Sequence, residues 1–252
     1  MMEILLGCLV VAAVLMTVDS AEAESRPNYT IYRAGTPITV DGRLDEPAWV
    51  AAPDVGAFVF PWYIGGKQEQ TVAKMLWDDT HLYVSYICED AHIWADHTER
   101  NSDVYDDDCV EVFTAPNPDQ PHVYFNIEMN VLSIFLDRFN PRGAGEVVDT
   151  GWRVQGLQVS TFINGTLNDD EDTDSYWVLE AAIPFENFAG VAKNTPPAPG
   201  DVWNLNLNRL GGRTNAQFSQ WCPSRTPEPQ FHAPDDFGRV RFSDVASPFW
   251  KR

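Results

Sequence analysis

The chain has 252 residues, with 37 Asp+Glu against 17 Lys+Arg and a formal net charge of −20. A surface that acidic repels phosphate backbones and anionic lipid, which excludes nucleic acid as a working partner and leaves neutral ligands and divalent cations open. In chain order, Ile4 to Val18 is an apolar run broken only by Gly7, Cys8 and Thr17, followed by Ser20-Ala21-Glu22-Ala23. Small residues at Ala21 and Ala23 fit a signal-peptidase site. The run is shorter than the roughly 20 residues that a membrane span needs. The expectation is a cleaved export signal over residues 1–23 and one domain over residues 24–252, secreted, periplasmic or at the cell surface. Removing the leader takes away Glu3, Asp19 and Glu22 and leaves 34 acids against 17 bases, a balance of −17.

Beyond the leader, β-rich runs alternate with turn residues. Strands are predicted at Thr71 to Trp77 and Leu82 to Cys88, joined by Asp78-Asp79-Thr80-His81, and at Cys109 to Thr114. His122 to Met129 and Leu132 to Asp137 form a predicted hairpin. Val154 to Thr161, Tyr176 to Ile183, Val202 to Leu210 and Phe237 to Phe242 complete the series. Only two short helical pieces are predicted. Asp45 would cap Glu46 to Val50, with Pro47 in the first turn, and Pro184 to Ala189 would be closed by Gly190. Strand signals at this spacing imply an all-β fold, an antiparallel, jelly-roll-like β-sandwich of two packed sheets. Trp49, Leu82, Val84, Val110, Val112, Leu179 and Phe237 fall on alternating positions that would face its core. Gly42 and Gly238 suit turns at positive φ. Cys88, Cys109 and Cys222 allow at most one disulfide, and their apolar surroundings favour buried free thiols.

Several segments carry a resemblance. Ile38-Thr39-Val40-Asp41-Gly42-Arg43-Leu44-Asp45-Glu46-Pro47-Ala48-Trp49 opens the series. Leu76-Trp77-Asp78-Asp79-Thr80-His81-Leu82-Tyr83-Val84 and Tyr105-Asp106-Asp107-Asp108-Cys109-Val110-Glu111-Val112-Phe113 follow. Trp177-Val178-Leu179-Glu180-Ala181-Ala182-Ile183-Pro184, then Ser219-Gln220-Trp221 and Phe231 to Gly238, close it. In this order and spacing they resemble the family 9 carbohydrate-binding modules.

The resemblance implies a non-catalytic sugar-binding domain that works with glycoside hydrolases. In that family two aromatic side chains clamp the sugar, and their matched positions here are Tyr105 and Phe231, both tryptophan in the family pattern. Glu111 matches the family's glutamate. Asn126 stands where the pattern has arginine, and Asn206 where it has glutamine. Losing the arginine removes a rigid multi-donor fork; Glu128, Arg138, Arg209 and Arg213 are nearby replacements. The resemblance also implies structural calcium, for which Asp41, Asp45, Asp90, Asp106 and Asp108 are the candidate ligands. No nucleophile elbow, zinc-protease motif or phosphate loop is present. The alternative reading is a structural or protein-interaction sandwich with a degenerate sugar site. Met75, Met129 and the histidines are candidates for a haem-binding variant of the fold, and Trp62 and Trp94 for an enlarged sugar site.

Overall fold

Alternating apolar side chains along most strands, with turn residues between them, build a mainly β core in the computed structural model, which describes residues 26–142, 148–213 and 215–247. The proposed leader, residues 1–23, lies outside them. The strands are β1 (Asn28–Arg33), β2 (Thr71–Trp77), β3 (His81–Glu89), β4 (Cys109–Ala115), β5 (Tyr124–Asn130) and β6 (Phe135–Asn140). Then come β7 (Gln158–Asn164), β8 (Tyr176–Pro184), β9 (Val202–Gly211), β10 (Gln217–Gln220) and β11 (Gly238–Ala246). The short helix α1 spans Pro47–Ala51.

The strands hydrogen-bond in the order β6-β5-β4-β9-β11-β1-β2-β3-β8-β7, with β10 also on β9. All these pairings are antiparallel except those of β1. β1 gives Asn28 to Ile31 to β11, then shifts register and gives Tyr32 and Arg33 to β2. It is the seam at which the sheet turns. The sheet curls so that both halves meet on one apolar cluster. Val110, Val112, Ile127, Met129, Leu205 and Leu207 come from one half, and Met75, Val84, Tyr86, Leu179 and Ala181 from the other.

β4 and β5 are buried on both faces. Their outer face carries a second apolar cluster that includes Val104, Phe113, Tyr124, Leu210, Phe231 and Phe237. On the other half, α1 packs Ala48 and Trp49 over Leu76, Tyr83 and Ala182. Trp49 and Phe237 are therefore buried as expected, but in these outer clusters rather than between the two halves. Trp49 Nε1 donates to Glu180 Oε1 at 2.8 Å, and Glu180 Oε2 accepts the backbone N–H groups of Asp41 and Gly42. The acidic corner is thus tied down by a buried acid from β8.

All nine strands expected from the sequence are present, with ends shifted by a few residues. β1 and β10 are additions. Asp45 does not cap α1: the helix starts at Pro47, Glu46 occupies the N-cap without a side-chain cap bond, and Asp45 is exposed. Glu46 Oε1 instead accepts from Thr39 N. The second helical piece is a 3₁₀ turn, Phe185–Phe188. Cys88, Cys109 and Cys222 are free and buried, and burial pushes the Cys88 thiol up to about 12. Gly42 has the expected positive φ, +81°; Gly238 does not, and is needed because a Cβ there would lie 2.6 Å from the Trp221 ring.

Candidate functional site

Strand register builds the site from the outer face of β4, β5 and β9. Val110 and Val112 point inward, so Glu111 and Phe113 point outward. Glu111 lies directly opposite Glu128 on β5 and Asn208 on β9. Phe113 lies opposite Asn126 and Asn206. Above this row, the 3₁₀ turn Val104–Asp106 brings in Tyr105, and the loop ahead of Pro234–Asp236 brings in Phe231 and His232. Together they enclose a cleft of ≈ 190 Å³, with Glu111 and Glu128 among its lining residues. Tyr105 is 41% exposed, whereas Phe231 is 7% exposed and packs on Trp62 and Phe218 at ring separations of 5.8 and 6.0 Å.

The floor of the cleft is polar and buried. Asn208 Nδ2 donates to Glu111 Oε2 at 3.1 Å. Asn126 Nδ2 donates to Glu128 Oε1 at 2.7 Å, and Asn140 Nδ2 donates to Asn126 Oδ1. Among the described residues, Glu128 Oε2 and Asn208 Oδ1 are buried with no hydrogen-bond partner. An unmet acceptor out of water costs about 1–3 kcal/mol, so a site of this kind favours a ligand that brings donors. Burial pushes Glu128 up to about 7, opposed by the Asn126 amide and the Arg138 charge. Burial and the facing Glu128 charge hold Glu111 well above the ordinary carboxylate range. Two carboxyls in one dry site resist carrying two charges, so near neutrality a proton is held between them. Burial lowers His232 to about 4. Its neutral imidazole Nδ1 lies 2.7 Å from Tyr124 Oη. Aromatic walls over a floor of two carboxyls, one with an unpartnered oxygen, suit a neutral polyol with apolar C–H faces.

Of the residues expected at the site, Tyr105, Phe231 and Glu111 come together in the cleft. Asn126 sits beside it, positioning Glu128. Asn206 does not reach it: its amide exchanges hydrogen bonds with the Cys222 backbone, at 2.9 and 2.8 Å, and pins the chain leaving β10. Arg209 is no replacement donor, because its side chain points to the opposite face, fully buried, with Nη2 2.8 Å from Asp90 Oδ2. Arg213 lies over the Trp94 ring. Glu128 takes a full place in the site, and its parity with Asn126 on one strand is the signal that shows it. His232 and Phe218 come from a loop and a short strand whose approach only the fold reveals. Met75 and Met129 are fully buried in the apolar core, away from any open position for haem.

The calcium expectation does not fit the five carboxylates. Calcium takes six to eight oxygens. Among the described residues, no three acidic, histidine or cysteine side chains are grouped so as to hold an ion. Asp41 and Asp45 are exposed at the corner before α1, and Asp106 is exposed beside Tyr105. Asp90 and Asp108 are buried near Arg209, and their oxygens already accept from Arg209, Trp177 and the backbone N–H groups of His92, Trp94 and Gly212. The guanidinium supplies the positive charge that a metal would otherwise supply.

The chain is 26% identical over 188 residues to endo-1,4-beta-xylanase A of Thermoanaerobacterium saccharolyticum, an alignment covering 75% of this chain and 14% of the xylanase. The chain thus spans a small fraction of that relative's length. Its fold is similar to a candidate carbohydrate-binding protein of Bacteroides uniformis ATCC 8492, with a TM-score of 0.70 at 18% identity, covering 87% of this chain and all of that one. It is also similar to a family 9 carbohydrate-binding module of Caldicellulosiruptor kristjanssonii in complex with cellotriose, with a TM-score of 0.59 at 18% identity, covering 89% and 98% of the two chains. The sequence model of carbohydrate-binding family 9 matches residues 66–242, well over half of the chain, and the protein belongs to that family.

Proposed function

We propose that this protein is a non-catalytic module that binds a neutral oligo- or polysaccharide in the cleft between Tyr105 and Phe231. One observation carries the reading: Glu128 lines a part-aromatic cleft and has a buried carboxylate oxygen, Oε2, with no protein donor. A sugar hydroxyl supplies that donor, while the ring's C–H face lies against an aromatic face. Glu111 takes a second hydroxyl. In this reading the two halves of the curled sheet act as the two packed sheets of a sandwich. The protein is exported by its leader and works beside a glycoside hydrolase, as the name of the xylanase relative supports. The C. kristjanssonii module's cellotriose complex supports a β-linked glucan as the first ligand to try.

Calorimetric titration against glucose, xylose, cellobiose and xylobiose tests it. Saturable binding is expected, and Tyr105→Ala should weaken it at least about tenfold, a loss of about 1.4 kcal/mol. Because Tyr105 is 41% exposed, the variant's melting temperature should stay at the wild-type value. A folded protein that binds no sugar in the panel would favour a structural or protein-interaction role. The smaller aromatics at Tyr105 and Phe231 and the absent arginine at Asn126 already point in that direction.

A further inference from the structure

Next to the cleft lies a second, larger hollow of ≈ 390 Å³. One wall is the loop carrying Phe60, Trp62, Tyr63 and Ile64; the other is formed by Phe218 and the Pro227-Glu228-Pro229 turn. Phe218 and Pro229 line both hollows, so the two adjoin. Tyr63 is 47% exposed and Phe218 37%, and the aliphatic Ile64 beside them is fully exposed, while Phe60 and Trp62 are half-buried. The loop is nonetheless held. Val59 bridges to Gln220 on β10 through two backbone hydrogen bonds. Trp62 Nε1 donates to Thr226 O at 2.8 Å, and Tyr63 Oη donates to Gly66 O at 2.7 Å. Successive glycines, Gly65 at φ +154° and Gly66 at φ +99°, turn the chain back. A wall fixed in this way gives up little entropy when a ligand settles on it.

We infer that this hollow is an additional subsite that takes the next sugar units of a neutral, β-linked oligosaccharide whose end is held in the Tyr105–Phe231 cleft. The inference rests on the function proposed above and extends it from one or two units to a chain. Three features select that occupant. The hollow adjoins the cleft at Phe218, so a chain that extends past Phe218 reaches the wall that carries Tyr63. The cleft alone, ≈ 190 Å³, falls short of the roughly 300 Å³ at which small-molecule sites begin, and the adjoining volume makes up the difference. The lining holds one acid, Glu228, and no base, in a chain of net charge −20, so uronates and other anionic glycans are disfavoured. The wall of Phe60 to Ile64 precedes the span matched to the family, residues 66–242, so sequence outside that match supplies it.

Titrating the mature chain with glucose, cellobiose, cellotetraose and cellohexaose, and with the matching xylo-oligosaccharides, tests the subsite. The affinity is expected to rise by about tenfold between two and four units. The double variant Tyr63→Ala/Ile64→Ser changes exposed side chains only, and a melting curve confirms its fold. It should bind cellobiose or xylobiose as the wild type does and lose the gain from added units. A flat affinity from two to six units, or a gain that survives in the double variant, overturns the subsite while leaving the cleft intact. If no oligosaccharide of any length binds, the cleft reading falls and takes the subsite with it.

Discussion

Glu128 shows how much a single buried atom can decide. Its Oε2 lies among polar neighbours and receives no hydrogen bond from them. Its carboxyl titrates at about 7 in the folded chain against an ordinary 4.5, burial being the main cause. Between those values the folded state keeps a proton that the unfolded chain releases. This contribution to stability is therefore present below about pH 4.5 and is lost as pH rises through about 7. Glu128→Gln should flatten the fall in melting temperature across that window in thermal scans at stepped pH. The two aromatic positions should separate in the same way. Tyr105→Ala removes an exposed face and costs binding alone. Phe231 is 7% exposed and packed on two rings, so Phe231→Ala should cost binding and about 3 kcal/mol of stability in urea titration.

At the scale of the strand, β9 serves both faces of the sheet. Leu205 and Leu207 feed the central core, Asn206 pins the chain after β10, Asn208 positions Glu111, and Arg209 anchors a buried acidic cluster. Arg209 Nη2 lies 2.8 Å from Asp90 and 4.0 Å from Glu69. Removing the charge leaves these acids buried and unpaired, so Arg209→Ala should destabilise by about 3–5 kcal/mol in denaturant titration. The turn at Gly42 depends on shape instead. A Cβ there would lie 2.7 Å from the Thr161 carbonyl carbon at φ +81°, so Gly42→Ala should cost about 1–3 kcal/mol. Strands rich in apolar residues and bounded by turn residues, β2, β3, β4, β8 and β9, were legible because short apolar runs between turn signals mark buried strands. β10, Gln-Phe-Ser-Gln, has too little apolar pattern to read; its pairing with β9 makes it a strand.

Charge acts on the molecule as a whole. With a net charge of −20, the folded state carries self-repulsion that salt screens, over a Debye length of about 10 Å at 0.1 M. Melting temperature should rise between low and moderate salt. Affinity for a neutral oligosaccharide should stay constant over the same range, because no ion is released on binding, and calorimetry at two salt concentrations checks this. The curl of the sheet belongs to the same scale. β1 passes from β11 to β2, and that one crossing sets the two halves around a common core and leaves the outer face of β4, β5 and β9 free to carry the site.

The sequence by itself determined the all-β class, the order of most strands and the family resemblance, and through that resemblance it named three residues that the fold gathers at the cleft, Tyr105, Glu111 and Phe231. The class and the strands live in residue type and local period, and the three residues in the order and spacing of the motifs, all of which survive without coordinates. The tertiary structure alone decided the rest. It turned Asn206 and Arg209 away from the cleft and set Glu128 opposite Glu111. It brought His232 and Phe218 in from distant segments, and it set Asp90 against Arg209 and Asp108 against backbone donors. Each of these depends on which strand lies beside which, and register between strands far apart in the chain is set by packing the whole sheet, not by any local run of residues.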